Sequence, residues 1–121
     1  RLMDAETALR ELCAGWERLD APGVAALFAP DGVYEGPLFE AFPVGPEAVL
    51  AACTAAFADL AEVRIPLRHV GVGGDVAMGE GTFAYVTPAG ERADFPLVMV
   101  AEVRDGLLVR FTEYFDTAAV G

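Results

Sequence analysis

Near residue 62 the hydrophobic period of this chain changes, and that change dictates its architecture. Before it, apolar residues recur every three or four positions. After it, Val, Phe, Tyr and Thr dominate runs broken by glycine-containing turns. Helices first and hairpins afterwards make an α+β domain, unlike the alternating order that builds a parallel α/β sheet. At 121 residues there is room for one domain, residues 1–121. No repeat, linker or low-complexity segment interrupts it.

The helical half divides into three. Leu9, Leu12, Cys13, Trp16 and Leu19 form one apolar stripe on a helix over 4–20, with Glu6 and Arg10 an i,i+4 pair on its solvent side. Asp20 is placed to cap a short second helix, with Pro22 in its first turn and Val24, Leu27 and Phe28 facing inward. Pro30-Asp31-Gly32 should stop it. A short strand near 32–35 and a loop rich in Pro, Gly and Phe follow. Pro46 then opens a third helix over 46–60, with Val49, Leu50, Cys53, Phe57 and Leu60 on one side. Strands are expected over 63–72, 75–86, 91–103 and 107–116, joined at Gly73-Gly74, Thr87–Gly90 and Arg104–Gly106. The helices should cover the concave face of a curved antiparallel sheet of about five strands.

Hairpin registers assign side chains to faces, because directly opposed residues share one. Pairing Val72 with Asp75, Val86 with Glu91 and Val103 with Leu107 places Ile65, Leu67, His69, Met78, Glu80, Thr82, Phe95, Leu97, Met99, Phe111, Glu113 and Phe115 on the helix-covered side. The other side would carry Val70, Val72, Phe83, Tyr85, Val98 and Val100. That apolar surface is larger than a monomer usually exposes, so a two-fold homodimer is expected through it.

Composition narrows the chemistry. The chain has no Lys, Ser, Asn or Gln, and all eight cationic residues are Arg. Schiff-base, phosphate-loop and serine-nucleophile mechanisms are thereby excluded. A single His excludes a multi-histidine metal centre, so neither metal nor cofactor is expected. A formal net charge of −11 argues against nucleic acid and anionic membrane surfaces as partners. No apolar run reaches the roughly 18–20 residues of a membrane span, and no signal peptide opens the chain. It begins at Arg1 rather than Met, so residues are expected before it. Cys13 and Cys53 read as buried thiols, and a cytoplasmic location is expected.

The predicted inner face holds two carboxylates where carboxylates are least expected, Glu80 and Glu113. Two strand spacings separate them by about 10 Å on a flat sheet. In apolar surroundings such a pair acquires divergent pKa values, which makes one an acid and the other a base. His69 and Tyr34 are candidate polar partners. Trp16, Phe28, Phe57, Met78, Thr82, Phe95, Leu97 and Phe111 are either core or the lining of a hydrophobic-ligand pocket.

Two stretches carry a family resemblance. Ala26-Leu27-Phe28-Ala29-Pro30-Asp31-Gly32-Val33-Tyr34 with Gly45-Pro46-Glu47-Ala48-Val49, and the ending Val103–Asp116, resemble the SnoaL-like, nuclear transport factor 2-like superfamily. The resemblance implies a cone of bent sheet wrapped by helices around an apolar pocket, often dimeric. It also implies roles drawn from polyketide cyclases, ketosteroid isomerases, limonene-epoxide hydrolases or non-catalytic binding modules. The places of the isomerase tyrosine and aspartate look like Leu12 and Gly36 here, which argues against that chemistry. Glu113-Tyr114-Phe115-Asp116 is similar to the epoxide hydrolase ending, with Glu for Asp, and Tyr34 and His69 fall at matching places. The hydrolase Arg-x-Asp reads Glu80-Gly81-Thr82. The expectation is a SnoaL-like acid–base enzyme for a polyketide- or terpenoid-like molecule, with catalytic residues Glu113, Glu80, His69 and Tyr34; the alternative is a binding or dimerisation module.

Overall fold

Local chemistry sets the helix starts, at Asp20 and Pro46 as anticipated and at Asp4 for a first helix that begins one residue into its expected span. The structure, a computed structural model, describes residues 3–120. Asp4 accepts a hydrogen bond from the Thr7 N–H at 2.8 Å and caps α1 (Ala5–Glu17). Glu6 and Arg10 pair at 2.9 Å on its outer side. Asp20 caps α2 (Ala21–Ala25) through the Gly23 N–H, and Pro46 opens α3 (Pro46–Phe57). The strands are β1 (Phe28–Glu35), β2 (Glu62–Arg64), β3 (Leu67–Gly73), β4 (Val76–Val86), β5 (Arg92–Arg104) and β6 (Leu107–Tyr114). A short 3-10 turn, Thr117–Ala119, follows.

The sheet runs β1-β6-β5-β4-β2, with β3 also paired to β4. It has six strands and is mixed, which corrects the expectation of about five antiparallel ones: β1 lies parallel to β6. A parallel pair needs a long crossover, and the chain between them, α3 included, supplies it. Pro30-Asp31-Gly32 does not end the second helix either. It lies within β1, where the pairing is irregular between Phe28 and Val33. The expected strand 63–72 is divided at Ile65-Pro66, since a proline offers no N–H to a ladder.

One hairpin decides which side chains face the helices. Thr87 pairs with Glu91 through N–H to O at 2.9 Å, leaving three loop residues with Gly90 at φ +88°. A four-residue loop would pair Val86 with Glu91; instead Val86 meets Arg92 and Glu80 meets Val98. A slip of one residue turns a strand over. The inner face of β4 is therefore Ala77, Gly79, Gly81, Phe83 and Tyr85, while Met78, Glu80 and Thr82 point outward. His69 sits directly opposite Glu80 and goes out with it. Helix α1 requires this arrangement, because a Cβ on Gly79 would lie 2.9 Å from the Leu9 side chain.

The core lies between α1, α3 and the inner face of β4–β6, around Leu9, Leu12, Phe28, Tyr34, Met99 and Phe111. Outside, Arg110 bridges Glu35 at 3.2 Å and Glu102 at 3.3 Å, while the Thr112 hydroxyl also donates to Glu35. This network ties β1 to β6 from behind. No helix among the described residues is long and apolar enough to cross a membrane.

Candidate functional site

Tyr34 and Glu113 meet because β1 and β6 are neighbours and both side chains turn inward. The Tyr34 hydroxyl donates to Glu113 Oε1 at 2.8 Å. Tyr34 is 1% exposed, held between the rings of Phe28, Phe39 and Phe111. Glu113 is partly exposed and lines a cavity. Burial pushes its carboxyl from 4.5 up to about 7, against the lowering effect of the Tyr34 hydrogen bond. Burial likewise raises Tyr34 well above its ordinary value, and the charge of Glu113 adds to the rise. Cys13 and Cys53 are pushed up to about 12, chiefly by burial, with Glu113 contributing to both. They are inert thiols, with Cys13 Sγ resting 3.7 Å from Met99 Sδ.

Above Glu113 opens an apolar cavity of about 390 Å³, continuous in its lining with a smaller one of about 100 Å³. Trp16, Leu38, Ala56 and Glu113 border both. Gly36 makes room for the Phe39 ring, since a Cβ there would lie 3.0 Å from it. Trp16 is clamped edge-on by Phe57 and Phe83, at 4.7 and 5.6 Å between centroids. Its buried indole N–H faces the Tyr34 oxygen and favours the phenolate, but closes no hydrogen bond.

Of the expected site residues, the structure brings together Glu113, Tyr34, Trp16, Phe95 and Leu97, with Phe57 behind Trp16. Phe28 and Phe111 are core residues packed on Tyr34, not cavity lining. The placement of Glu80, His69, Met78 and Thr82 inside is corrected. Glu80 and His69 form an exposed outer-face pair at 2.9 Å, with the imidazole hydrogen bond holding the Glu80 carboxyl below its usual value. Met78 is 56% exposed. The reason is the β4 slip described above. The same slip hid Phe83 and Tyr85, expected outside, which line the cavity. The small residues Ala77, Gly79 and Gly81 carried the missed signal: such residues mark the strand face a helix approaches closely.

The chain is thus an α+β domain with a strongly curled, half-barrel mixed sheet that carries the helices over one face. The model of the SnoaL-like domain matches residues 9–111, and the chain belongs to that family. No curated protein matches it significantly by sequence. Among solved structures, it is similar to an NTF2-like protein of unknown function from Burkholderia pseudomallei at 26% identity and TM-score 0.83, covering 97% of this chain and 94% of that one. It is also similar to a protein of ketosteroid isomerase-like fold from Catenulispora acidiphila, solved with trimethylamine (18% identity, TM-score 0.85, 98% and 91% covered). A third is an LEH-like epoxide hydrolase from M. tuberculosis (23%, TM-score 0.80, 95% and 84% covered). At these identities the second and third likenesses concern the fold, and their ligands and reactions are their own.

Proposed function

We propose that this chain is an acid–base enzyme acting on a hydrophobic small molecule, with Glu113 as the proton-transferring group and Tyr34 as its positioning residue. One observation carries the reading: a carboxyl raised to about 7 lies at the end of an apolar cavity. A group poised there exchanges protons efficiently near neutral pH. Tyr34 fixes one carboxyl oxygen, which leaves the other for substrate or water. Cyclisation and isomerisation of a polyketide- or terpenoid-like molecule need only such a proton carrier. A panel of such compounds tests it: turnover by the wild type should disappear in Glu113→Gln. Binding without turnover would favour the non-catalytic module.

Epoxide opening by the hydrolase triad is disfavoured more strongly than sequence alone implied. Glu80 points away from Glu113, and among the described residues the cavity lining around Glu113 contains no Arg to orient it. Limonene oxide should be hydrolysed at least about a hundredfold more slowly than by an enzyme with a complete triad, the usual cost of losing a positioned acid or base. Diol formation at hydrolase-like rates, followed by chromatography, would refute this.

A homodimer is also proposed, through a revised patch. Val70, Val72, Phe83 and Tyr85 leave the outer face and Met78 joins it, where Met78, Val98 and Tyr114 are 56%, 40% and 56% exposed. Light scattering should report twice the 12.7 kDa chain mass at micromolar concentration, and Val98→Glu should shift it toward the monomer.

A further inference from the structure

The cavity walls are unusual in being aromatic on several sides and acidic, with no cation among them. Trp16, Phe83, Tyr85, Phe95 and Phe115 all border it. Their planes differ. Trp16 stands at 79° to Phe83, Tyr85 at 52° to Phe83 and 66° to Phe95, while Phe83 and Phe95 stack at 20°. Phe115 closes on Phe95 at 4.7 Å. Glu113 ends the cavity and Asp59 stands in its lining, whereas none of the lining residues is Arg or His. The ionisable neighbours that Glu113 perturbs, Tyr34, Cys13 and Cys53, are all acids, and each is raised by its charge.

Ring faces and a carboxylate act on a ligand in the same sense. Each aromatic face presents negative potential, and a desolvated cation within about 6 Å of a centroid is held by it. An anion would meet repulsion from the rings and both carboxylates. We propose that the Glu113 pocket takes an organic cation, an ammonium group carrying an apolar body, with the nitrogen beside the Glu113 carboxyl and its substituents against the aromatic walls. The assignment rests on the pocket reading above and narrows its ligand class. Among the described residues no cation lines the cavity beside the carboxyl, and the ligand supplies one. Binding therefore converts a largely protonated Glu113 to carboxylate below about pH 7, and a proton leaves to solvent.

An isosteric pair isolates the charge. (4-Hydroxyphenyl)trimethylammonium and 4-tert-butylphenol differ only in nitrogen for carbon, and 4-tert-butylbenzoate supplies the anion. Calorimetry at pH 6 in two buffers of different ionisation enthalpy reads both affinity and proton release. The cation should bind at least about tenfold more tightly than the neutral isostere, despite its greater hydration, and release close to one proton. In Glu113→Gln the proton release should vanish and that preference should shrink severalfold to what the ring faces alone supply, while 4-tert-butylphenol still binds and shows the pocket intact. Equal or tighter binding of 4-tert-butylphenol overturns the cation assignment and leaves the apolar acid–base pocket standing. If none of the three binds at millimolar concentration, both readings fall.

Discussion

Glu113→Gln should abolish turnover and at the same time stabilise the protein at neutral and alkaline pH. Removing a positioned proton carrier costs roughly a hundred- to ten-thousand-fold in rate, and the amide cannot replace it. The structural effect has the opposite sign. A carboxyl raised from 4.5 to about 7 carries a burial cost of roughly 3 kcal/mol once ionised. Below about pH 4.5 it is protonated whether the chain is folded or not, and the cost is absent. Between 4.5 and about 7 only the unfolded chain releases the proton, so stability falls as pH rises; above about 7 the full loss is present. Tyr34, Cys13 and Cys53 face the carboxyl from β1, α1 and α3, and all stay neutral across this range, so they do not offset it. Glutamine keeps the volume and can still accept from the Tyr34 hydroxyl.

Urea midpoints measured from pH 4 to pH 8 check this directly. The part of the wild-type decline over that range that Glu113 causes should be missing in the variant, which should exceed the wild type by a few kcal/mol at pH 8. A variant that is less stable than the wild type at pH 8 would mean that the carboxylate is satisfied rather than strained. The raised pKa, and with it the acid–base role, would then lose its basis. A stabilised protein that has lost function is the pattern expected where a site keeps an expensive group for its chemistry.

How the sequence located Glu113 but misplaced Glu80 follows from three loops. The inward set on β5 and β6 was legible although the last turn is tighter than the spacing suggests. Arg104 pairs with Leu107 across a two-residue Asp105-Gly106 turn, with φ +53° and +77°. A bulge between Glu102 and Val103 then shifts the pairing by a second residue, which restores the faces, and Glu113 meets Met99 rather than Leu97 on the inner face. At β3–β4 the turn is centred on Gly74, two positions in register from the naive pairing, which preserves the faces. Only the Thr87–Glu91 loop shifts by an odd number, and it inverts β3 and β4 together against the rest of the sheet. Alternation says which residues share a face within one hairpin. It does not say how many loop residues a type I turn with a left-handed glycine will use. The parallel β1–β6 pair was beyond hairpin logic altogether, because nothing local links strands so far apart in sequence.

That parallel pair depends on Gly32, and Gly32→Ala should cost more stability than any surface substitution. Its position in β1 lies where the pairing with β6 is irregular. A Cβ there would stand 2.3 Å from the Leu108 carbonyl oxygen and 3.1 Å from the backbone of Ala29. Neither contact is with a side chain that can swing away, so the backbone must move. Leu108 is itself pinned by its N–H to Leu27 O at 2.8 Å, and Gly32 O by the Gly45 N–H at 2.8 Å. Relief therefore pushes β1 off β6. Overpacking of this kind costs typically about 1–3 kcal/mol, and more when main chain is involved. Gly71 provides the matched control, because a Cβ there meets nothing within 4 Å. Gly71→Ala should leave stability within about 1 kcal/mol of the wild type. The damage should reach the site as well. Tyr34 follows Gly32 by two residues, and its hydrogen bond is the one effect that lowers the Glu113 pKa. Separating the strands weakens that bond, so Glu113 in Gly32→Ala should titrate higher still, as read by carboxyl-carbon NMR. A Gly32→Ala protein with a wild-type urea midpoint and an unmoved Glu113 titration would show that β1 yields freely, and the Tyr34–Glu113 pair would then owe nothing to this junction.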